Sequence, residues 1–272
     1  MSLEITFITI AQDEAHNIVP CIESCKGLGK HIVIDGGSQD ATAELAASHG
    51  AEVLCNPFEY AARQYNYALS QVKTEWAFVI DADERISPEL RARLEEMQNP
   101  PMSVAGFAIP RLNIFIGVPV RHSGWWPDLS IRLMRKTKCL YDDRPVHARV
   151  KADGEVRRLQ AWLNHDAYSS IQQYVRKANA YTSLERLARS GAQASLDRRS
   201  RLRAVWLRLP AKPLTRFIYM YLLRGGFRGG RVGFDLAVLS SFYEVIVGAK
   251  VRYAERESIA RPTADLEPSP RR

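Results

Sequence analysis

Four apolar runs, each closed by a polar loop, set the rhythm of the first hundred residues. Residues 5–10 (ITFITI) alternate and are rich in β-branched side chains, which predicts a strand. Residues 31–34 (HIVI) and 76–80 (WAFVI) are continuous apolar runs and predict buried strands, with a shorter one at 52–54. Between them the pattern predicts helices over 17–28, 41–49 and 60–70. The first has Asn17 or Asp13 as its N-cap and ends near Gly27 or Gly29. Ser87-Pro88-Glu89 opens a further helix, with a hydroxyl cap and proline at the first helical position. Strand and helix alternate, which implies a mostly parallel α/β sheet with right-handed crossovers and helices on both faces. Ligands bind such sheets beyond the carboxyl ends of the strands. The loops Gln12-Asp13-Glu14, 35–40 and 81–84 all fall on that edge.

Pro100-Pro101 breaks the rhythm. Residues 105–150 read as strands and long loops, and Ser169 or Ser170 caps a helix over 171–189 that Gly191 stops. A basic run follows at 198–208. Apolar segments at 217–223 and 232–249 flank the glycine-rich RGGFRGGR. This basic, amphipathic region suits an anionic membrane face. It equally suits a helical cap whose basic side is merely solvated. The tail from about 255 onward is proline- and charge-rich, which predicts disorder.

The composition, 46% hydrophobic and 25% charged, is that of a folded globular chain. The net charge of +8 points to polyanions: nucleic acid, an anionic membrane or a phosphorylated substrate. Cys21, Cys25, Cys55 and Cys139 form no C-x-x-C pair, so reduced thiols in a cytoplasmic setting are expected. The start has no basic segment leading into an apolar core, so no signal peptide is expected. With no uncharged apolar run of about 18 residues, no spanning helix is expected either.

The chemistry begins at Asp81-Ala82-Asp83-Glu84, where two carboxylates one residue apart end a buried strand. Packed closely they repel unless a cation or hydrogen bonds offset the repulsion. Mg²⁺ or Mn²⁺ would take these oxygens and bridge to a substrate diphosphate. The plain alternative is a solvated strand end. In Asp35-Gly36-Gly37-Ser38-x-Asp40-x-Thr42, the glycines allow close backbone approach and the helix start can host a phosphate. Asp35 can accept a hydrogen bond from a base N–H. An ordinary strand-to-helix turn would look the same.

Together these stretches resemble glycosyltransferase family 2, inverting enzymes of the GT-A fold. Gln12-Asp13-Glu14-x-x-Asn17-Ile18 stands where the family carries Asn-Glu-Glu-x-x-Asn-Ile, followed by Asp35/Ser38/Asp40/Thr42, Arg63-x-x-Asn66, and Trp76 with Asp81-Ala82-Asp83-Glu84. The likeness continues through Arg111, Gly117, His122 to Trp125, Pro127-Asp128, Arg132, Asp143-Arg144, Val146-His147, His165 and Tyr168. Within the family the chain looks most like lipopolysaccharide-core β-glucosyltransferases. The resemblance implies a nucleotide-sugar-binding half at 1–100, an acceptor half at 101–190, a basic amphipathic helical region at 191–253 and a disordered tail at 254–272. It implies that Gln12, Glu14, Asp35, Ser38, Arg63 and Asn66 hold the nucleotide. Asp81 and Asp83 would hold ribose and metal, with His165 completing the metal shell.

The implied partners are a nucleotide-sugar donor, probed first as UDP-linked, and a glycolipid or glycan acceptor. Peripheral contact with the anionic inner face of the cytoplasmic membrane is implied as well, and nucleic acid is not. Single displacement needs a base on the acceptor hydroxyl. Asp128 is the first candidate, beside Trp125 and Trp126 as a sugar platform, although it also reads as a turn residue after Pro127; Asp143 is the second. The chain departs from the family at Ala148, where Val-His-Glu is usual. Two other readings follow from that departure and from the sheet: a non-catalytic polyanion-binding homologue, or a nucleotidyltransferase.

Overall fold

The computed structural model describes residues 3–144, 148–191 and 212–260. The expected basic run at 198–208, His147 and the tail beyond 260 lie outside them. The opening alternation is realised as β1 (Ile5–Ala11), α1 (Ala15–Cys25), β2 (Gly29–Asp35), α2 (Thr42–Ser48), β3 (Glu52–Cys55), α3 (Ala61–Gln71) and β4 (Trp76–Val79). These strands stand in the order β3-β2-β1-β4 and pair in parallel. Period-two alternation sends neighbouring residues to opposite faces. Phe7, Trp76 and Phe78 meet Cys21 of α1 on one face, whereas Ile8, Ala77 and Val79 meet Ala62 and Leu69 of α3 on the other. Both faces are covered, which is why β4 reads as an unbroken apolar run.

The next elements are β5 (Glu84–Ile86), α4 (Pro88–Glu95), β6 (Val104–Phe115), β7 (Val118–Pro119), β8 (Asp128–Arg135), β9 (Cys139–Tyr141), β10 (Val150–Ala152), β11 (Glu155–Arg158) and β12 (Leu163–Tyr168). β8 joins β4 antiparallel and the order runs on β8-β6-β12-β5. Ser87 caps α4 as expected, accepting from Leu90 N at 3.1 Å.

By its contacts the chain forms two compact units, one of Met1–Asn113 with Pro127–Ala167, the other of Ile114–Trp126 with Tyr168 onward. The second unit holds α5 (Ile171–Gly191), α6 (Lys212–Ile218) and α7 (Gly230–Ala260). Its core joins Phe115, Val120, Tyr174, Ala178 and Leu236.

Three expectations are corrected. Residues 254–260, expected in the disordered tail, continue α7. The first helix starts at Ala15, with neither Asn17 nor Asp13 as its cap; Glu14 holds that position without a side-chain bond. Residues Gly226–Ala254 make one helix long and apolar enough to cross a membrane, although the sequence pattern argued against one. Its few charges are spaced widely enough to leave mean hydropathy high.

Candidate active site

The loop after β1 is held by the motif after β2. Asp13 takes a left-handed conformation, φ 56°. Its N–H donates to Ser38 Oγ at 3.0 Å, Glu14 N–H to Thr42 Oγ1 at 2.8 Å, and Ala15 N–H to Asp40 Oδ2 at 3.1 Å. These are the unpaired donors at the start of α1, so Ser38, Asp40 and Thr42 do the capping that α1 lacks locally. Asp35 is buried and accepts from Gly37 N, Ser38 N and Ser38 Oγ, the last at 2.5 Å. Gln12 is half-buried in the same loop, and Glu14 accepts from Asn17 Nδ2 at 2.7 Å.

The loop after β4 enters a charged network. Tyr65 OH donates to Asp81 Oδ1 at 2.6 Å and Arg132 Nη2 to Asp81 Oδ2 at 3.0 Å. Arg132 also donates to Glu84 Oε1 at 2.5 Å, and Asp81 N–H donates to Glu84 Oε2 at 3.0 Å. Arg111 reaches Glu84 Oε1 at 3.3 Å and grips Asp128 Oδ2 through Nε at 2.9 Å and Nη2 at 2.5 Å. Two guanidinium groups thus bridge three carboxylates. Glu84 is fully buried, and burial, with Asp81 beside it, pushes its carboxyl up to about 7 despite both arginines. Asp81 feels the same burial, but the Arg132 charge and hydrogen bond override it and hold the carboxyl well below the usual range. Burial first, then the Asp81 charge, pushes the Tyr65 hydroxyl well up, so it stays a donor.

Asp83 stands beside this network. β5 pairs antiparallel with β12 so that His165 lies opposite Glu84, and His165 Nε2 comes within 3.3 Å of Asp83 Oδ2. His165 Nδ1 lies 2.6 Å from Asn113 Oδ1. An amide oxygen only accepts, so the ring proton belongs on Nδ1 and Nε2 turns its lone pair to the Asp83 carboxylate. The imidazole and the carboxylate offer a nitrogen and an oxygen 3.3 Å apart, both able to ligate a cation. Asp83 and His165 therefore fit a divalent cation completed by diphosphate oxygens. Each Asp81 oxygen already accepts one protein donor, which leaves one lone pair on each for a further partner. Among the described residues no group of three His, Cys, Asp or Glu side chains is arranged to hold a metal unaided.

The remaining candidates have other partners. Asp143 accepts from Tyr60 OH and sits 3.6 Å from Arg63, which is itself paired with Glu59. The Asn66 amide bonds both backbone groups of Tyr141, at 3.0 and 2.9 Å, and so fastens α3 to β9. Trp125, in the second unit, packs against Phe115 and Tyr168, and Trp126 lies under Arg121 at 5.2 Å. Ala148, the position of the missing carboxylate, packs on the apolar cluster around Ile8. Glu84, Arg111, Arg132, Tyr65 and Asn113 were not singled out as site residues. Arg132 had a visible signal: a charge inside the apolar run of β8 must find a buried partner.

Residues 6–151, more than half of the chain, match the family model for glycosyl transferase family 2. The chain belongs to that family. It is 28% identical over 266 residues to the lipopolysaccharide core biosynthesis glycosyltransferase LpsC of Rhizobium meliloti, covering 95% of both chains. An uncharacterized glycosyltransferase of Rickettsia prowazekii is 27% identical, covering 91% of this chain and 86% of that one. Among solved structures, mannosyl-3-phosphoglycerate synthase from Rubrobacter xylanophilus aligns at 23% identity and TM-score 0.35, covering 41% of each chain. Membership of family 2 makes the protein a glycosyltransferase of GT-A type. The non-catalytic and nucleotidyltransferase readings fall with it.

Proposed function

We propose that this glycosyltransferase moves a hexosyl group from a nucleoside diphosphate sugar, UDP-linked, to a lipopolysaccharide-core or other glycolipid acceptor, with inversion. The observation that carries the reading is the pair Asp83 and His165, 3.3 Å apart at the carboxyl edge of the sheet. The near full-length likeness to LpsC favours a lipopolysaccharide-core acceptor. Such an acceptor places the enzyme at the inner face of the cytoplasmic membrane.

The roles follow from position. Gln12, Glu14 and Asp35 line the edge where base and ribose would lie, and Arg63 is an exposed cation on α3 for the nucleotide. Asp81 is held ionised by Arg132 and Tyr65, and it would face ribose and the metal beside Asp83. Mg²⁺ or Mn²⁺ between Asp83 and His165 would supply positive charge to the leaving diphosphate. In the displacement the acceptor oxygen bonds to the anomeric carbon as the bond to diphosphate breaks, and Asp128 takes the acceptor proton. Asp128 is 40% exposed and uses only Oδ2 on Arg111, which leaves Oδ1 for a hydroxyl. Through Arg111 the base is tied to Glu84, and through Glu84 to the donor edge.

The test is calorimetry with a panel of UDP-sugars, with and without Mn²⁺, on wild type and Asp83→Ala. Metal-dependent UDP binding that disappears in the variant is expected. Tight binding without metal, unchanged in Asp83→Ala, would overturn the metal assignment. No binding of any UDP-sugar by the folded protein would overturn the donor assignment.

A further inference from the structure

Helix α7 is built inside out. Three of its polar side chains bond inward: Lys250 Nζ donates to Asn179 O, Thr182 Oγ1 and Ser183 Oγ at 2.6, 2.9 and 2.7 Å. Glu244 pairs with Lys212 of α6 at 2.6 Å, and Tyr243 OH donates to Glu185 of α5 at 2.9 Å. Its outward stripe is apolar. Phe234, Val238, Phe242 and Val245 recur at helical spacing and are 41, 42, 54 and 43% exposed. In water the opposite arrangement is favoured.

The stripe continues past the helix start. Phe234 packs edge-on to Tyr221 at 5.7 Å, and Tyr221 packs on Phe227 at 6.5 Å. Leu222 and Leu223 project beside them, 54 and 74% exposed. The surrounding charge is mainly positive: residues 214–235 hold Arg216, Arg224, Arg228 and Arg231 against a single carboxylate, Asp235, which pairs with Arg231 at 3.1 Å. A second copy of this face would bring like charges together. Crossing a bilayer would strip Lys250 and Glu244 from the partners they hold in α5 and α6. An anionic lipid surface satisfies both the apolar stripe and the arginine rim.

The same segment grips a loop. Ser123 N–H donates to Arg224 O at 3.1 Å. A Cβ on Gly226 would fall 2.9 Å from Ser123 Oγ and 2.7 Å from Met220 O, and one on Gly233 would fall 1.9 Å from Gly226 O. Only glycine permits this approach at either position, which explains the glycine-rich run. The loop it fastens, residues 121–126, carries Trp125 and Trp126.

We propose that α7 and the turn before it lie in the headgroup layer of an anionic bilayer, apolar stripe inward, and hold loop 121–126 at lipid level. Lipid binding stands independently of the donor chemistry; the loop's part in receiving a glycolipid rests on the reading above.

The test is co-sedimentation of the full chain with phosphatidylglycerol/phosphatidylethanolamine vesicles and with phosphatidylcholine vesicles. Binding to the anionic vesicles alone is expected, released by alkaline carbonate. F234E/F242E and R224E/R228E should each weaken it at least about tenfold, with melting temperature and UDP binding unchanged. Vesicles with brominated acyl chains should quench tryptophan emission, and the quenched component should vanish in Trp126→Phe. Equal binding to neutral vesicles, carbonate-resistant binding, or a vesicle-free dimer dispersed by F234E/F242E would each overturn the proposal.

Discussion

At the residue scale the site is an exercise in compensation. Arg132 is almost fully buried, and its removal leaves Asp81 and Glu84 short of charge. Breaking a buried pair this way costs about 3–5 kcal/mol, so Arg132→Met should lower the urea midpoint sharply. A variant as stable as wild type would show that the network is solvated. Asp128→Asn keeps a partner for Arg111 while removing the base. It should lower kcat by roughly 100-fold or more with donor affinity unchanged, and retained kcat would remove Asp128 from the mechanism. Burial pushes the Cys139 thiol up to about 11, and Cys21 and Cys25 are buried too, whereas Cys55 is exposed. A thiol reagent at pH 8 should titrate one cysteine in the native protein and all four in urea. The acidic edge was legible because Asp81 and Asp83 follow an apolar strand. Their division of labour was not, since it depends on Tyr65, Arg111 and Arg132, which are distant in sequence and converge only through the sheet.

At the element scale the first half of the fold was legible because β4 and β2 are too short and apolar to be surface helices, and because Ser87-Pro88 marks a helix start plainly. Ser87 is buried and caps α4, so Ser87→Ala should cost about 1 kcal/mol in urea unfolding, and Ser87→Gly less. No measurable change would mean another group takes over the Leu90 N–H. The start of α1 was misread because its capping groups are non-local: Thr42 Oγ1 and Asp40 Oδ2 come from beyond β2. β5 was missed because three residues form it and only its partner β12 defines it. The inverted polarity of α7 was likewise hidden, since periodicity reveals an apolar stripe but not which way it faces.

At the scale of the whole molecule, a net charge of +8 meets an anionic donor and, by the proposal above, an anionic surface. Charges of that sign speed encounter with anions and are screened within about 8 Å at physiological salt. Turnover of a vesicle-borne acceptor should therefore fall more steeply with added salt than binding of UDP, which is gripped at short range. Equal salt slopes would place the whole effect in the donor site. The capping of α1 by the motif after β2 bears on how relatives are judged. Ser38, Asp40 and Thr42 are needed to fold the first loop whether or not sugar is transferred. A gene copy that has lost its activity would still be selected to keep them. Survival of that motif is thus poor testimony that an enzyme lives, and loss at Asp83 or His165 is far better testimony that it has died.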